Sequence, residues 1–85
     1  MGPELDLHRM TVDEALPKID DFLHDMYAAK LHYVMIVHGK GTGVLKQAVG
    51  RYLSTHALVK SYHQADRWSG GFAFAPIYHL SGRAQ

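Results

Sequence analysis

The feature that most constrains this chain lies between residues 33 and 53. Tyr33-Val34-Met35-Ile36-Val37 is a continuous apolar run rich in β-branched residues, the mark of a buried central strand. His38-Gly39-Lys40-Gly41-Thr42-Gly43 follows it. Three glycines in the five residues from 39 to 43 are too costly in backbone entropy for regular structure, so they mark a turn or a close approach to the backbone. Val44, Leu45, Ala48, Val49, Tyr52 and Leu53 then recur at helical spacing, and Thr42 is placed to cap that helix. A strand, a glycine turn and an amphipathic helix in this order commit the chain to an α/β layered fold.

The flanks complete the architecture. Leu5-Asp6-Leu7-His8 alternates apolar and polar, as a half-buried strand does. Thr11-Val12-Asp13-Glu14 is a capping box. Val12, Ala15, Leu16, Ile19, Phe22, Leu23, Met26 and Tyr27 form one helical face over four turns. Pro17 inside that pattern predicts a kink or a shifted start. Residues 58–64 and 72–80 read as two further strands joined by a hairpin loop over 66–71. Pro76 cannot donate a ladder bond, so the last strand is an edge or is interrupted there. The predicted order is β-α-β-α-β-β. Right-handed crossovers then put both helices on one face of a four-stranded mixed sheet, a two-layer sandwich with its other face uncovered. The 85 residues form a single domain over 1–85, with a core at about 4–80. Leu5 and Leu7 should point toward the helices, and Asp6 and His8 should share the opposite face.

Composition removes several classes. A hydrophobic content of 47% excludes a disordered tail. The absence of cysteine excludes disulfides and thiolate metal sites and suits a reducing cytoplasm. The opening MGPELD lacks the apolar region of a signal peptide, and no apolar run is long enough to span a membrane. Net charge is +1, but six of the nine Lys and Arg residues lie beyond residue 31 against one of the eight acids. A basic half of this kind attracts a polyanion on one side, although ordinary solvated charge accounts for it equally.

Two groups of residues can carry chemistry. Asp6 and His8 form an Asp-x-His pair near the end of a strand. A histidine titrates near neutrality and works as base and acid, and an adjacent carboxylate holds its tautomer. Alone, the pair reads equally as surface polarity. The turn from His38 to Gly43 opens a helix, where backbone N–H groups and the helix dipole make an anion site, and Lys40 adds charge. It has neither the Walker A nor the dinucleotide-binding spacing, and a plain strand-to-helix turn is the alternative. Ligands of open α/β sheets gather beyond the carboxyl ends of the parallel strands. If the strands ending at His8 and His38 are parallel neighbours, both histidines and the glycine turn meet at one rim. His24, His32, His56, His63 and His79 are scattered without His-x-x-x-His spacing, so no metal role is assigned to them. Phe72, Phe74 and Tyr78 alternate along the last strand, as a base-stacking platform or as a packed core face.

Leu5-Asp6-Leu7-His8, Val12-Asp13-Glu14-Ala15 and the whole of His38 to Gly43 together resemble the Smr (small MutS-related) domain over most of the chain. Leu58-Val59-Lys60-Ser61-Tyr62 resembles that family's third strand. The resemblance implies a β-α-β-α-β-β sandwich similar to the C-terminal domain of a bacterial translation initiation factor. It implies nucleic-acid binding, with nicking endonuclease activity on DNA or RNA in some members. Asp6 and His8 would then be the catalytic pair. Arg9, His38, Gly39, Lys40, Gly41, Thr42 and Gly43 would touch the phosphate backbone. No cofactor is certain; a divalent cation such as Mg²⁺ or Mn²⁺ enters for DNA cleavage. Partners would be branched DNA or ribosome-associated RNA, with the domain attached to a MutS-like ATPase. A non-catalytic DNA-, RNA- or ribosome-binding module is the alternative. Two departures stand out. The family has Gly after Leu-Asp-Leu-His, where this chain has Arg9. It has a third glycine after Gly70-Gly71-Phe72, where this chain has Ala73.

Overall fold

Thr11 and Glu14 set where the first helix begins. The Thr11 hydroxyl accepts from the Glu14 N–H at 3.2 Å, and a Glu14 carboxylate oxygen accepts from the Thr11 N–H at 3.0 Å. That satisfies two of the donors a helix start leaves over. Asp13 and Glu14 in the first turn also complement the dipole. The helix α1 (Val12–Ala28) runs unbroken through Pro17, so the proline does not shift its start. The computed structural model describes residues 3–7, 9–38, 43–65 and 72–76, and for 63–65 and 72–76 the backbone. The expected hairpin loop and residues 77–80 lie outside the described residues.

The other end of α1 is closed by backbone alone. The Lys30 N–H donates to the Tyr27 carbonyl and the Leu31 N–H to the Met26 carbonyl, at 3.0 and 3.1 Å. This is the Schellman pairing, which needs a left-handed residue just past the cap. Lys30 takes that role with φ 64, where glycine is usual.

Two short strands, β1 (Glu4–Asp6) and β2 (Tyr33–Val37), pair in parallel, with Leu5 opposite Ile36 and Asp6 opposite Val37. Leu7 extends the pairing by donating its N–H to the Val37 carbonyl at 2.7 Å. The second helix, α2 (Val44–Thr55), leads to β3 (His63–Ala65) and β4 (Phe72–Pro76). β4 lies antiparallel between β2 and β3, giving the order β1-β2-β4-β3. The last strand is therefore interior and not an edge. Pro76, opposite Tyr33, is its last described residue. The third strand is shorter than the expected 58–64. Leu58 sits in the turn after α2 and is buried from there, so its apolar character reflects burial and not strand pairing.

One core unites the layers. Leu7, Val34 and Ile36 join Ala15, Ile19 and Leu23 of α1, Val49 and Leu53 of α2, and Leu58. The small α/β domain with two helices and a parallel strand pair is as the sequence reads. Leu5 packs against this core and Leu7 is fully buried, while Asp6 is exposed, as strand alternation requires. Val44, counted in the buried stripe of the second helix, is instead 62% exposed. It occupies the first helical position, ahead of the turns that touch the sheet.

The αL region costs a non-glycine residue roughly 1–2 kcal/mol, partly offset at Lys30 by a cation's attraction to a helix C-terminus. Lys30→Gly should therefore raise stability by about 0.5–1 kcal/mol. Urea denaturation checks this: the midpoint should move up with an unchanged m-value.

Candidate functional site

The parallel pairing brings the carboxyl ends of β1 and β2 to a common rim. Asp6 stands opposite Val37, and the chain leaves each strand within two residues of that pair. Asp6 is exposed there. His8, Gly39, Lys40, Gly41 and Thr42 lie outside the described residues.

Arg9 is exposed at the same rim with φ 67. The Met10 N–H donates to the Leu7 carbonyl at 3.0 Å, so Leu7 to Met10 make a four-residue turn with Arg9 third. Turns with positive φ at that position normally take glycine there. The turn thus explains why a glycine fits after Leu-Asp-Leu-His and shows that Arg9 holds the glycine conformation.

His38 is 5% exposed. It continues the alternation of Val34 and Ile36, so it shares their buried face. Residues at 34, 36 and 38 have period two in the sequence, and that signal places the ring away from the solvent side of the rim.

Gly43, not Thr42, is the N-cap of α2. Its φ is 91, and no side chain caps the helix there. A Cβ built on Gly43 would meet nothing within 4 Å, so backbone conformation alone selects glycine at this point. The first turn carries no acid but does carry Lys46. The two helix starts therefore differ: α1 is closed by its own capping box and acids, while α2 presents a positive dipole end with a cation beside it.

A second cluster lies at the far end of α2 and was missed by the search for paired histidines. Asp20 and His24 are four apart on α1, and His56 is the C-cap of α2. The His56 Nε2 donates to Asp20 Oδ1 at 2.8 Å, while its Nδ1 accepts from the Leu58 N–H at 3.1 Å. These two partners fix the proton on Nε2. His24 Nδ1 lies 2.8 Å from the Asp20 carbonyl and 3.4 Å from its carboxylate. The hydrogen bond from His56 holds the Asp20 carboxyl below its usual range, against a smaller opposing effect of burial. Burial, with the Asp20 charge, pushes the Tyr52 hydroxyl up. The i, i+4 spacing of Asp20 and His24 was the half of this cluster visible in the sequence. His56 joins them only through the packing of α1 on α2.

Comparison with known proteins gives one consistent result. The Smr domain family model matches residues 5–78. An Endonuclease MutS2 of Pelotomaculum thermopropionicum is 45% identical over 77 residues, covering 91% of this chain and 10% of that protein. The Endonuclease MutS2 of Thermomicrobium roseum is 42% identical over 76 residues, covering 89% of this chain and 10% of that protein. The chain thus spans about a tenth of the length of the curated relatives it matches. The crystal structure of the Smr domain of Thermus thermophilus MutS2 superposes with a TM-score of 0.85 at 34% identity, covering 91% of this chain and 99% of that one. The solution structure of the SMR domain of NEDD4-binding protein 2 gives 0.64 at 27% identity, with 92% and 88% covered.

The Asp20 cluster makes a pH prediction. Its folded pKa lies below the ordinary value of 3.8, so the unfolded chain takes up the proton first as pH falls. Its stabilising contribution is complete above that ordinary value and is lost as pH drops through the lower folded one. Asp20→Asn should lower the melting temperature at neutral pH and flatten the fall in stability below about pH 4. Thermal melts across the acid range check both effects.

Proposed function

The chain belongs to the Smr domain family, and from that membership we propose that it binds DNA or RNA phosphates at the shared end of β1 and β2 and cleaves phosphodiesters there, as the nicking module of a larger MutS-like protein. The observation that carries this reading is the parallel β1–β2 pair. It sets the exposed Asp6 carboxylate and the uncapped, acid-free start of α2 at one rim. The relatives that bear the name endonuclease support it.

The roles follow from the chemistry of each group. Backbone N–H groups of the loop from Gly39 to Gly43 and the start of α2 would receive phosphate oxygens. Arg9, Lys40 and Lys46 would supply cations. Because His38 is buried, its part is to position the head of that loop, and its ring is not a phosphate contact. His8 would be the acid–base group, with Asp6 orienting its ring.

On RNA, His8 takes the proton from a 2′-hydroxyl as that oxygen attacks the adjacent phosphorus. The 5′-oxygen leaves with a proton, and a cyclic phosphate remains. On DNA no 2′-hydroxyl exists, so water is the nucleophile. A single exposed carboxylate such as Asp6 suits a largely hydrated Mg²⁺ or Mn²⁺, and such an ion lowers the pKa of its bound water. EDTA should spare the first route and abolish the second. His8→Ala should lower cleavage roughly 10²-fold or more with little change in binding. If purified His8→Ala cleaves as fast as the parent, the domain is a binding module without this chemistry.

Arg9 gives a separate test with opposite signs on two readouts. Arg9→Gly relieves the left-handed strain and should stabilise the fold by about 1 kcal/mol. It also removes one phosphate contact, so the slope of log affinity against log salt on duplex DNA should shrink by about 0.9. A stabilised variant with an unchanged slope would take Arg9 out of the interface.

A further inference from the structure

Asp20, His24 and His56 bring one donor atom each to within 4.8 Å of one another. His56 Nε2 and Asp20 Oδ1 are 2.8 Å apart, and His24 Nδ1 and Asp20 Oδ1 are 3.4 Å apart. Tetrahedral ligands at zinc–donor distances near 2.0–2.1 Å stand about 3.3 Å from one another. The two Asp20–histidine spacings are already close to that value, and the two histidine donors lie within 4.8 Å of each other.

We propose that these three side chains form a site for a divalent d-block cation, with Zn²⁺ as the reference ion, that clamps α1 to the segment leaving α2. Two imidazoles and one carboxylate are donors for zinc, cobalt or nickel and a poor set for Mg²⁺ or Ca²⁺. Three protein ligands leave a fourth position for water. The His56 side chain, 8% exposed, is the more enclosed of the two imidazoles. His24 at 61% and Asp20 at 45% exposure leave the ion a path in and the rings room to turn.

The present hydrogen bonds set the cost. His56 coordinates through Nε2 only when its remaining proton sits on Nδ1, which faces the Leu58 N–H. That contact must open as the ion enters. Leaving the Leu58 N–H without this acceptor lowers affinity by roughly ten- to a hundredfold. His24 gives up its bond to the Asp20 carbonyl, but its ring is exposed and water replaces that partner. Protons compete with the ion for both imidazoles, so binding is pH-dependent. Two histidines and one carboxylate, with water in the fourth position, are a donor set that holds zinc in other proteins.

The cluster stands at the C-terminal end of α2, and the glycine turn stands at the other. Twelve residues of helix separate them by about 18 Å. An ion here is thus distinct from any ion at Asp6. Its effect is on the junction of the two helices: at one hundred times the dissociation constant it favours the folded state about a hundredfold.

The test is a titration of the metal-free chain with Co²⁺ and Zn²⁺. It is followed by the visible absorption of cobalt, the melting temperature and the amide spectrum. One equivalent should bind, Tm should rise, and the Leu58 amide should shift as its bond to His56 opens. His24→Ala, on the exposed face of α1, should weaken binding at least tenfold without unfolding the chain. His56→Gln should do the same, and if it fails to fold, His24→Ala decides. His32→Ala, an exposed histidine outside the cluster, should leave affinity unchanged. Parent-like affinity in His24→Ala, no change in Tm at a hundredfold excess of Zn²⁺, or an equal loss in His32→Ala would overturn the proposal.

Discussion

The parallel pair of β1 and β2 is the interaction on which the rest depends. Parallel strands cannot be joined by a tight turn, so the chain must cross over between them, and α1 is that crossover. The pairing is short, and its register is held by burial. Leu7, Val34 and Ile36 are all fully buried. Side chains alternate along a strand, so a slip of one residue in β1 would exchange Leu7 for Asp6. An unpaired carboxylate would then enter an apolar core, and its cost of several kcal/mol exceeds what the strand gains from pairing. The same constraint that builds the core therefore keeps Asp6 on the solvent side. The candidate site needs no separate device to hold it there.

The two helices then divide two tasks by how they begin. α1 begins with reciprocal hydrogen bonds between Thr11 and Glu14 and two acids in its first turn. It is electrostatically self-sufficient, and an anion would be repelled there. α2 begins at a left-handed glycine with no side-chain cap and no acid in its first turn. The difference is local and chemical, and it leaves the dipole of α2 pointing at the rim where the strands end. The far end of α2 is used otherwise. There His56 ties the helix to Asp20 of α1 and to the Leu58 N–H at once, which docks both helices and sets the path of the chain toward β3.

Periodic features were legible in the sequence because they are local. Ala15, Ile19 and Leu23 were read as one face and are buried together. The capping box was read at Thr11 and Glu14 and forms there. The convergence at the rim was legible only as a condition on strand pairing, which the β1–β2 ladder meets. The misreadings share another cause. Val44 and Leu58 are apolar, and pattern alone cannot say that one stands ahead of the packed turns and the other fills the core from a turn. Thr42 is a better capping residue than glycine by propensity, but the backbone at residue 43 takes φ 91, and that conformation favours glycine. Pro76 predicts an edge or an interruption; β4 is interior in the sheet, and among the described residues it ends at Pro76. His38 follows β2 at the rim, and its register with Val34 and Ile36 buries its side chain there. The Asp20, His24 and His56 cluster spans two helices, so only tertiary packing completes it.

Two cations, Lys30 and Arg9, stand in the left-handed region at φ 64 and φ 67, and they call for different explanations. Lys30 follows the C-terminus of α1, where a positive charge gains from the helix dipole what the backbone loses. Its side chain sits where any helix end would accept it. Arg9 has no helix C-terminus beside it. It is the third residue of the Leu7–Met10 turn, and α1 begins two residues later with its positive end nearest. The acids Asp13 and Glu14 in that first turn offset the dipole there. Arg9 is thus an exposed cation at the Asp6 rim, held in a backbone conformation that favours glycine.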